Sequence, residues 1–335
     1  MNPKASNSLL TIVIPTYNHP EYIDYCLQQS SYIDQLNIRL EIHDSSPNES
    51  TRDIVSKYKE IYKNLEYIKH EDVSVDIKIL TALKGVKTKY VYLCGDGLIF
   101  NAIDNYAKIQ DYLKQDIDVI TIYGTHVDAY KNYFDKLAIK YSQTEINYDS
   151  LTKHIKENLW YMTLYGGSIV KKEVFDEYTI ESVRNMIGTG FLYAYLIYNH
   201  KYDNFRAIVL NGNYQIANIC KKAPFWVTVE KRAIELWAHN FPQMIMGITP
   251  LSIEERECMI KESEEILDVF SKKKLLIYRV TNNYNYKIYK QYKADLLKYS
   301  GQSLFTLWQI AMCPKWVIKL LYLLIKRKKW GTVNI

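Results

Sequence analysis

The sequence contains few of the residues that build disulfide or zinc frameworks. Its 335 residues include five cysteines, which are scattered and form no CxxC pair. An odd, dispersed set of cysteines predicts neither a disulfide framework nor a zinc site, and it favours a reducing compartment. The sequence also lacks an N-terminal apolar stretch of the signal-peptide type and any uninterrupted apolar window of about 18 residues, so we expect no conventional transmembrane helix.

Several motifs of nucleotide-dependent and hydrolytic enzymes are absent from the sequence. The first predicted strand is not followed by GxGxxG, and GxxxxGK[ST] does not occur, so the usual dinucleotide and P-loop signatures are missing. GxSxG and HExxH are also absent, which gives serine hydrolase and zinc protease functions little support. A nucleotidyltransferase would be expected to have a glycine-rich, basic first loop, and this chain has none.

Charge is distributed unevenly along the chain. The formal net charge is +6, yet residues 271–335 carry 14 lysine and arginine side chains and one acid, Asp295, for a local charge of +13. Residues 1–270 therefore carry −7. An acidic body with a basic end argues against a nucleic-acid surface spread over the fold. It points to an anionic partner, lipid or nucleic acid, near the C-terminus.

The first 125 residues alternate between strand and helix patterns. Short β-branched apolar runs end at turn residues, and helical spacing then begins at residues such as Pro20 and Ser50. Strands separated by helices of about 10–15 residues predict βαβ units and a parallel sheet. The predicted strands are 10–15, 38–43, 65–68, 90–94 and 119–123, and the predicted helices are 20–27, 50–61, 75–83 and 102–113.

The loops that follow these strands carry the candidate site. In a parallel sheet the ligand lies beyond the carboxyl ends of the strands, so we expect the loops 16–19, 44–49 and 95–98 to converge. Asp44 ends the second strand and Asp96 follows the fourth. A loop carboxylate can accept a hydrogen bond from a uracil N–H or a ribose hydroxyl. Near a pyrophosphate it requires a divalent cation between the two groups.

Three segments in this order carry a family resemblance. Residues 11–18 (TIVIPTYN), 41–46 (EIHDSS) and 90–96 (YVYLCGD) resemble the nucleotide-sugar-binding half of family 2 glycosyltransferases of the GT-A fold. The resemblance covers roughly residues 8–125. It implies an α/β fold in which a Rossmann-like, mostly parallel sheet is flanked by helices, with the basic helical region appended at the C-terminus.

The resemblance also assigns roles to residues in and beside the three loops. The residues implied to hold the donor are Pro15, Thr16, Tyr17, Asn18, Asp44, Asp76, Gly95 and Asp96. Asp44 is expected to contact the base or ribose, and Asp96 takes the first carboxylate of the family's DxD motif, which contacts the sugar and the metal. From the residues alone, Asp44 and Asp96 also fit plain turn positions, and Asp76 also fits a charge on a helix face.

One position departs from the family pattern. The metal-binding position is usually the last Asp of the triplet, and here that position is Leu98. Leucine cannot ligate a cation. Either Asp96 and water hold the metal, another carboxylate substitutes, or the enzyme depends less on metal than its relatives. We predict a divalent cofactor, Mg²⁺ or Mn²⁺, that is bound weakly.

The middle of the chain is expected to hold the acceptor and the general base. Residues 158–164 and 166–170 resemble the segment that closes the family's sugar pocket, although a glycine turn before a strand would look the same. An inverting transfer needs one base, and the family's usual acidic pair is absent here. Glu181 is the favoured base ahead of Asp176 and Glu177, and all three also fit solvated charges.

Four other regions are less specific. His126 and Asp128 fit a surface loop, and residues 171–178 fit a helix. Trp226, Trp237 and His239 fit either core packing or an aromatic wall for the acceptor. The motif Ser252–Glu255 is a capping box that predicts a helix to about residue 270, with the lysines at 272–274 at its carboxyl end and a further helix over 275–299.

The last residues fit an amphipathic basic helix. Lys315, Lys319, Tyr322, Lys326 and Lys329 recur at spacings of four and three, which places them on one face of a helix. Trp and Leu side chains lie mostly opposite. This combination is typical of a helix that lies on anionic lipid, and the alternatives are a solvated basic face or, less favoured, a nucleic-acid arm.

Together these features predict a glycosyltransferase that moves a sugar from a nucleotide-sugar donor, UDP-linked, to a lipid-linked or surface-polysaccharide acceptor. Residues 1–245 are the predicted catalytic domain, in which 1–125 bind the nucleotide sugar and 126–245 bind the acceptor. Residues 246–335 are the predicted helical basic region. The family implies inversion, and a polyprenyl-linked acceptor implies a peripheral place on the cytoplasmic face of a bacterial membrane. The alternative is a non-catalytic sugar-nucleotide-binding or scaffold protein of the same fold.

Overall fold

The computed structural model describes residues 8–71, 73–100, 102–123, 125–126, 144–212, 214–217, 231–318 and 320. The chain forms two compact units, Met1–Lys221 and Lys222–Ile335. The predicted catalytic boundary at residue 245 concerns activity, and it stays a prediction.

The first unit is built on strands that alternate with helices. Its strands are β1 (Leu10–Thr16), β2 (Arg39–Asp44), β3 (Leu65–Lys69), β4 (Tyr90–Leu93), β5 (Leu98–Phe100), β6 (Val119–Ile122), β7 (Thr125–His126), β8 (Glu145–Tyr148), β9 (Ser168–Lys171), β10 (Ala207–Leu210) and β11 (Gln215–Ala217). Its helices are α1 (Pro20–Gln28), α2 (Tyr32–Gln35), α3 (Ser50–Lys59), α4 (Val75–Gly85), α5 (Ala102–Lys114), α6 (Leu151–Met162) and α7 (Leu192–Asn199).

Within the described residues, eight strands form one sheet in the order β3-β2-β1-β4-β9-β6-β10-β8. The pairs from β3 to β4 are parallel, β6 and β10 are parallel, and β8 and β9 run in the opposite direction. A second, small sheet has the order β5-β11-β7. The predicted mostly parallel sheet is confirmed. The predicted helix over 171–178 is wrong: Lys171 ends β9, and one short 3₁₀ turn, Lys172–Phe175, follows.

Both faces of β1 and nearly all of β2 are buried within this unit. Leu10, Ile12 and Ile14 point to one face, where they pack in a core with Leu40 and Ile42 of β2. The register then aligns the carboxyl ends of the strands, with Thr16 opposite Asp44 and Asp44 opposite Lys69. The paired strands therefore end side by side, and the loops that follow them start at the same edge of the sheet.

The second unit is helical over its described residues. Its helices are α8 (Arg232–Ile234), which continues through a π-helical segment (Glu235–Asn240) into α9 (Phe241–Met246), then α10 (Ile253–Leu267), α11 (Lys272–Val280), α12 (Tyr286–Gln291), α13 (Lys293–Tyr299) and α14 (Leu304–Met312). No helix in the described part of the chain is both long and apolar enough to cross a bilayer.

The helix ends in this unit follow local side-chain chemistry. The predicted capping box at Ser252 and Glu255 is present, and each residue satisfies a backbone N–H of the other. The lysines at 272–274 do not end α10. Ser271 accepts the backbone N–H of Lys274 and starts α11 there instead, because a serine cap satisfies an otherwise unpaired donor. The predicted helix over 275–299 is divided into three, α11 to α13.

A half-buried carboxyl group in α10 gives the second unit a pH dependence. Glu264 lies beside a small cavity lined by Trp237, Phe241 and Phe270, and its Oε1 accepts the backbone N–H of Phe270 at 3.0 Å. Its Oε2 has no hydrogen-bond partner in the described part of the chain. Burial raises the pKa of Glu264 from 4.5 to about 8.

We expect Glu264→Gln to stabilise the protein in alkaline solution. A carboxyl group whose pKa is higher in the folded state contributes stability below pH 4.5, and that contribution is lost as the pH rises through about 8. The variant should match the wild type near pH 4 and exceed it by about 2 kcal/mol at pH 9, after an allowance for partial exposure. Urea unfolding across this range measures the difference. Glu265→Gln, exposed on the same helix, should keep the wild-type slope, and an unchanged slope in Glu264→Gln would contradict the assignment.

Candidate functional site

The three predicted loops meet at the carboxyl edge of the sheet. Thr16 donates its hydroxyl to Asp96 Oδ2 at 3.0 Å, across 80 residues of sequence. The backbone N–H of Asn18 donates to Ser46 Oγ at 2.8 Å, which joins the first loop to the second. The predicted convergence is confirmed, since one loop hydrogen-bonds to both of the others.

A buried lysine that the sequence analysis did not single out lies beneath these loops. Lys78, in the first turns of α4, is 3% exposed. Its Nζ donates to the carbonyl oxygen of Thr16 at 2.7 Å and to Ser45 Oγ at 2.9 Å. Burial lowers the pKa of Lys78, while the charges of Asp44 and Asp96 act in the opposite direction. The signal available in the sequence was a lysine at the helix position two residues after Asp76.

Asp44 ends β2 as predicted, but its side chain faces inward. The residue is 0% exposed. Its Oδ1 accepts the backbone N–H of Ser46 at 2.8 Å and the Ser46 hydroxyl, and its Oδ2 accepts the Tyr67 hydroxyl at 2.9 Å. Lys69 Nζ lies 3.8 Å from Oδ2. Because the side chain is fully buried, direct contact with a base or ribose would require neighbouring residues to move aside, and the predicted role of Asp44 stays a prediction.

Asp96 is the more accessible carboxylate at this edge. Its side chain is 22% exposed, and its Oδ2 lies 3.0 Å from Nδ1 of His19. The His19 ring stacks on Tyr22 at 4.6 Å, which orients it toward the loop. Leu98 packs against the sheet core and donates its backbone N–H to the Gly95 carbonyl at 3.0 Å. The segment 95–98 is therefore a tight turn with one carboxylate.

The other predicted donor residues occupy distinct environments. Pro15 lies buried in β1, while Tyr17 is half exposed at the start of the loop. Asn18 adopts a left-handed conformation with φ 54°, which asparagine tolerates better than most residues. Gly95 has room for a Cβ, with the nearest atom at 3.5 Å, so packing alone does not demand a glycine there. Their contacts with a donor stay predictions.

Asp76 lies on the same helix as Lys78 and binds a different segment. It is 1% exposed, and its Oδ2 accepts the backbone N–H groups of Gly188 at 2.7 Å and Gly190 at 3.2 Å. Both glycines have positive φ angles, 87° and 81°, which turn the two N–H groups toward one oxygen. Asp76 therefore fastens the 188–190 segment to α4.

The other glycine pair, Gly166 and Gly167, passes between a helix end and the sheet. The Gly166 N–H donates to the carbonyl of Leu93 at 2.6 Å, and Ile122 donates to the carbonyl of Gly167 at 3.0 Å. A Cβ on Gly167 would lie 2.0 Å from the backbone oxygen of Tyr161. The backbone is closely packed at this segment, but against the end of α6, and the predicted approach to the donor sugar stays a prediction.

The three acids considered as general base are all near the surface. Glu181 has the most exposed side chain, at 83%, and its nearest cation is Arg184 at 3.7 Å. Asp176 pairs with Lys172, and Glu177 lies 2.6 Å from His200. Glu181 is the least engaged of the three, and its catalytic role stays a prediction.

The remaining candidates are distributed over both units. His126 ends β7, while Asp128 and Trp226 lie outside the described residues. Trp237 packs edge to face with Phe241 at 5.6 Å, and His239 lies 2.9 Å from Asp295, both within the second unit. These contacts fit packing in that unit, and an acceptor wall formed by these residues stays a prediction.

Known proteins resemble this chain in sequence and in fold. Residues 11–179, just over half of the chain, match the model of glycosyl transferase family 2. S. aureus TarS 1–349 in complex with UDP-GlcNAc is 16% identical, with 90% of this chain and 81% of that chain covered and a TM-score of 0.56. A further structure of TarS 1–349 is 13% identical, with 97% and 94% covered and a TM-score of 0.54. No curated protein sequence matches the chain.

The structural likeness and the family match carry different weight. At these identities the likeness to TarS shows the fold alone, which is the predicted α/β GT-A-like sheet flanked by helices. The family match includes β1, β2 and β4 and therefore all three loops that converge around Asp96 and Lys78. The chain belongs to glycosyltransferase family 2.

Proposed function

We propose that the protein transfers a sugar from a UDP-linked donor to a glycan carried by a polyprenyl lipid, with inversion at the anomeric carbon. The observation that carries the proposal is the junction of three loops at the sheet edge, held by Lys78 and Asp96. The UDP-GlcNAc complex of TarS, a protein of similar fold, supports a donor of this chemical class.

The chemistry needs a leaving group, an acceptor and one base. The acceptor oxygen attacks the anomeric carbon and forms the new glycosidic bond, while the bond from that carbon to the nucleoside diphosphate breaks. The proton of the acceptor hydroxyl passes to a carboxylate, for which we propose Glu181, the acid that its neighbours engage least. Tyr17 offers an exposed ring at the first loop that can stack on the donor base.

The residues at Asp96 fit a single-carboxylate cation site. Asp96 Oδ2 accepts from Thr16 and His19, which leaves Oδ1 as the oxygen for a cation. The described residues contain no group of three or more His, Cys, Asp or Glu side chains that could hold a metal. A Mg²⁺ or Mn²⁺ ion can bind through one carboxylate together with water and substrate phosphates, where it would neutralise phosphate charge. We propose that Asp96 provides that carboxylate.

A donor screen tests the proposed function and the cation together. We expect UDP-sugars to raise the melting temperature by several degrees, and Mn²⁺ to add to that shift only at about millimolar concentration, because one carboxylate binds it weakly. Slow release of UDP by the purified protein would confirm catalysis. Binding without release would favour a non-catalytic binding protein, and pyrophosphate release from a nucleoside triphosphate would favour a nucleotidyltransferase. Activity abolished by EDTA and restored by micromolar Mn²⁺ would contradict the weak site.

We further propose that the second unit attaches the protein to the cytoplasmic face of a bacterial membrane. The apolar helix α14 buries Leu307, Ile310 and Ala311 in its own unit. Large apolar side chains on its outer face and just beyond it are exposed, namely Phe305, Trp308, Met312, Trp316 and Leu320. Exposed Trp and Phe beside a segment of charge +13 match the interface of an anionic bilayer.

The part of the predicted basic face that the structure describes is small. Lys315 donates its ammonium to Asn282 Oδ1 within the second unit. The other stripe residues lie outside the described residues: Lys319, Tyr322, Lys326 and Lys329. The structural support for membrane attachment is therefore the apolar outer face of α14. The other support is the charge of the segment 271–335.

We expect a Phe305→Ser, Trp308→Ser and Trp316→Ser triple variant to lose most of its binding to anionic liposomes, at least about tenfold, while donor binding stays unchanged. Point changes are preferable to removal of residues 301–335, because Leu307 and Ile310 are buried and Leu307 accepts the Tyr284 hydroxyl. Co-sedimentation with phosphatidylglycerol vesicles measures the effect, and Tyr286→Ser, exposed elsewhere in the unit, is the control. Unchanged sedimentation of the triple variant would refute the attachment. It would also be refuted if the wild type formed a dimer through this face, which the triple variant but not the control would dissociate.

A further inference from the structure

Two buried polar side chains and a half-buried one form a hydrogen-bonded chain at the sheet edge where the three loops meet. Glu41 and His43 lie on the same face of β2 and are 5% and 3% exposed. Glu41 Oε2 lies 3.2 Å from His43 Nε2, and His43 Nδ1 lies 2.8 Å from Nε2 of His70. The chain therefore runs from a carboxylate through two imidazoles, and it ends at His70.

The chemistry of the three groups determines which atom donates and which accepts in each hydrogen bond of this chain. The other oxygen of Glu41 lies 3.5 Å from the Arg39 guanidinium. This contact is typical of an ionised carboxylate, and an ionised carboxylate can only accept hydrogen bonds. In the arrangement with both imidazoles neutral, His43 carries its proton on Nε2 and accepts at Nδ1. That acceptor requires the proton of His70 to lie on Nε2, so the lone pair of His70 lies on Nδ1.

The surroundings of His70 favour its neutral form. Burial, the nearby His43 and the Lys78 ammonium lower the pKa of His70 to about 4, and the Asp44 carboxylate acts weakly against them. No partner for Nδ1 of His70 occurs among the described residues. The ring thus presents one unused hydrogen-bond acceptor of fixed orientation.

His70 lies at the edge where the donor loops meet. It follows β3 directly, and its backbone N–H donates to the Asp44 carbonyl at 2.7 Å. Asp44 is predicted to contact the base or ribose, yet its carboxylate is fully buried and accepts from Ser46 and Tyr67. The position next to Asp44 therefore needs another acceptor if a base N–H is to be recognised there.

We propose that Nδ1 of His70 accepts the ring N–H of the donor nucleobase and so selects uracil or guanine over cytosine. The inference rests on the proposed function, because it assigns the base contact of the same donor site. Glu41 and His43 are positioning residues: they set the tautomer that makes Nδ1 an acceptor. Cytosine presents a lone pair at the same ring position, and two facing acceptors leave both groups unpaired.

The test uses the full chain at pH 8 and calorimetric binding of UDP, 3-methyl-UDP and CDP. UDP should bind about tenfold more tightly than the other two, since with them the half-buried acceptor on His70 would have no donor. His70→Phe should lower UDP affinity about tenfold and remove the discrimination, and His43→Phe should reduce the discrimination while His70 remains. His200→Phe, whose imidazole pairs with Glu177, should retain the wild-type pattern.

The outcomes separate this inference from the proposed function. Binding of UDP, 3-methyl-UDP and CDP with equal affinity would overturn the role of His70 and leave a nucleotide site in place. Binding of no nucleotide by the wild type would overturn both. A ¹⁵N spectrum of the wild-type histidines, assigned with His70→Phe, provides a measurement that needs no variant to bind: an Nε2–H tautomer of His70 supports the inference, and an Nδ1–H tautomer overturns it.

Discussion

Lys78→Met is expected to weaken UDP-sugar binding by at least about tenfold and to lower the free energy of unfolding by about 2 kcal/mol. The ammonium donates to the Thr16 carbonyl and to Ser45 Oγ, so it joins the loops after β1 and β2 from below. Methionine has a similar length but donates no hydrogen bond. Both loops would then lose a shared anchor, and donor binding would have to order them.

Titration calorimetry with the donor and urea unfolding together measure the effect of Lys78→Met. Lys87→Met is the matched control, because Lys87 is exposed and lies two residues beyond the end of α4. We expect that control to behave as the wild type in both measurements. If Lys78→Met bound the donor with wild-type affinity, the loops would be ordered by their contacts with Asp96 and Ser46 alone.

Gly167→Ala is expected to be the most destabilising single methyl addition in the first unit. The added Cβ would lie 2.0 Å from the Tyr161 carbonyl oxygen, and neighbouring backbone cannot rotate away as a side chain can. Either the end of α6 or the start of β9 must move, and β9 lies between β4 and β6 in the sheet. Overpacking of this kind costs about 3 kcal/mol.

Thermal and urea unfolding measure the effect of Gly167→Ala. Gly85→Ala is the matched control, because a Cβ there meets no atom within 4 Å and the residue ends a helix. The control should be as stable as the wild type or slightly more stable, because alanine restricts the unfolded chain. Equal stability of both variants would mean that the 161–167 turn relaxes without cost.

The strand and helix order was predictable because short apolar runs alternate with capped helices. Leu10–Thr16 is buried at every position, as a central parallel strand requires, and its pattern was clear in the sequence. The antiparallel insertion of β9 between β4 and β6 was not predictable, because strand order depends on pairing between distant residues. The 3₁₀ turn after β9 was also missed, since Val174, Phe175 and Tyr178 have a spacing that suits a helix equally well.

The site was predictable as a place, and less so as a set of contacts. The sequence motifs located Asp44, Asp76 and Asp96, and all three lie at or near the donor edge. They did not indicate that the carboxylates of Asp44 and Asp76 accept hydrogen bonds from the protein's own backbone. Lys78 and His70 carried no motif of their own, because their significance comes from burial and from partners that the fold brings together.

The hold of Asp76 on the 188–190 segment has a consequence for where this protein can be divided. The family match ends at residue 179, but Gly188 and Gly190 supply the partners of a buried carboxylate on α4. Beyond them, β10 pairs with β6 in the main sheet. A piece that stops at 179 would keep the loops after β1, β2 and β4. The buried Asp76 carboxylate would lose two backbone N–H groups, and β6 would become an open edge of the sheet. The shortest piece fit for expression therefore extends past residue 210, because hydrogen bonds that span more than 100 residues tie the 188–190 segment to α4.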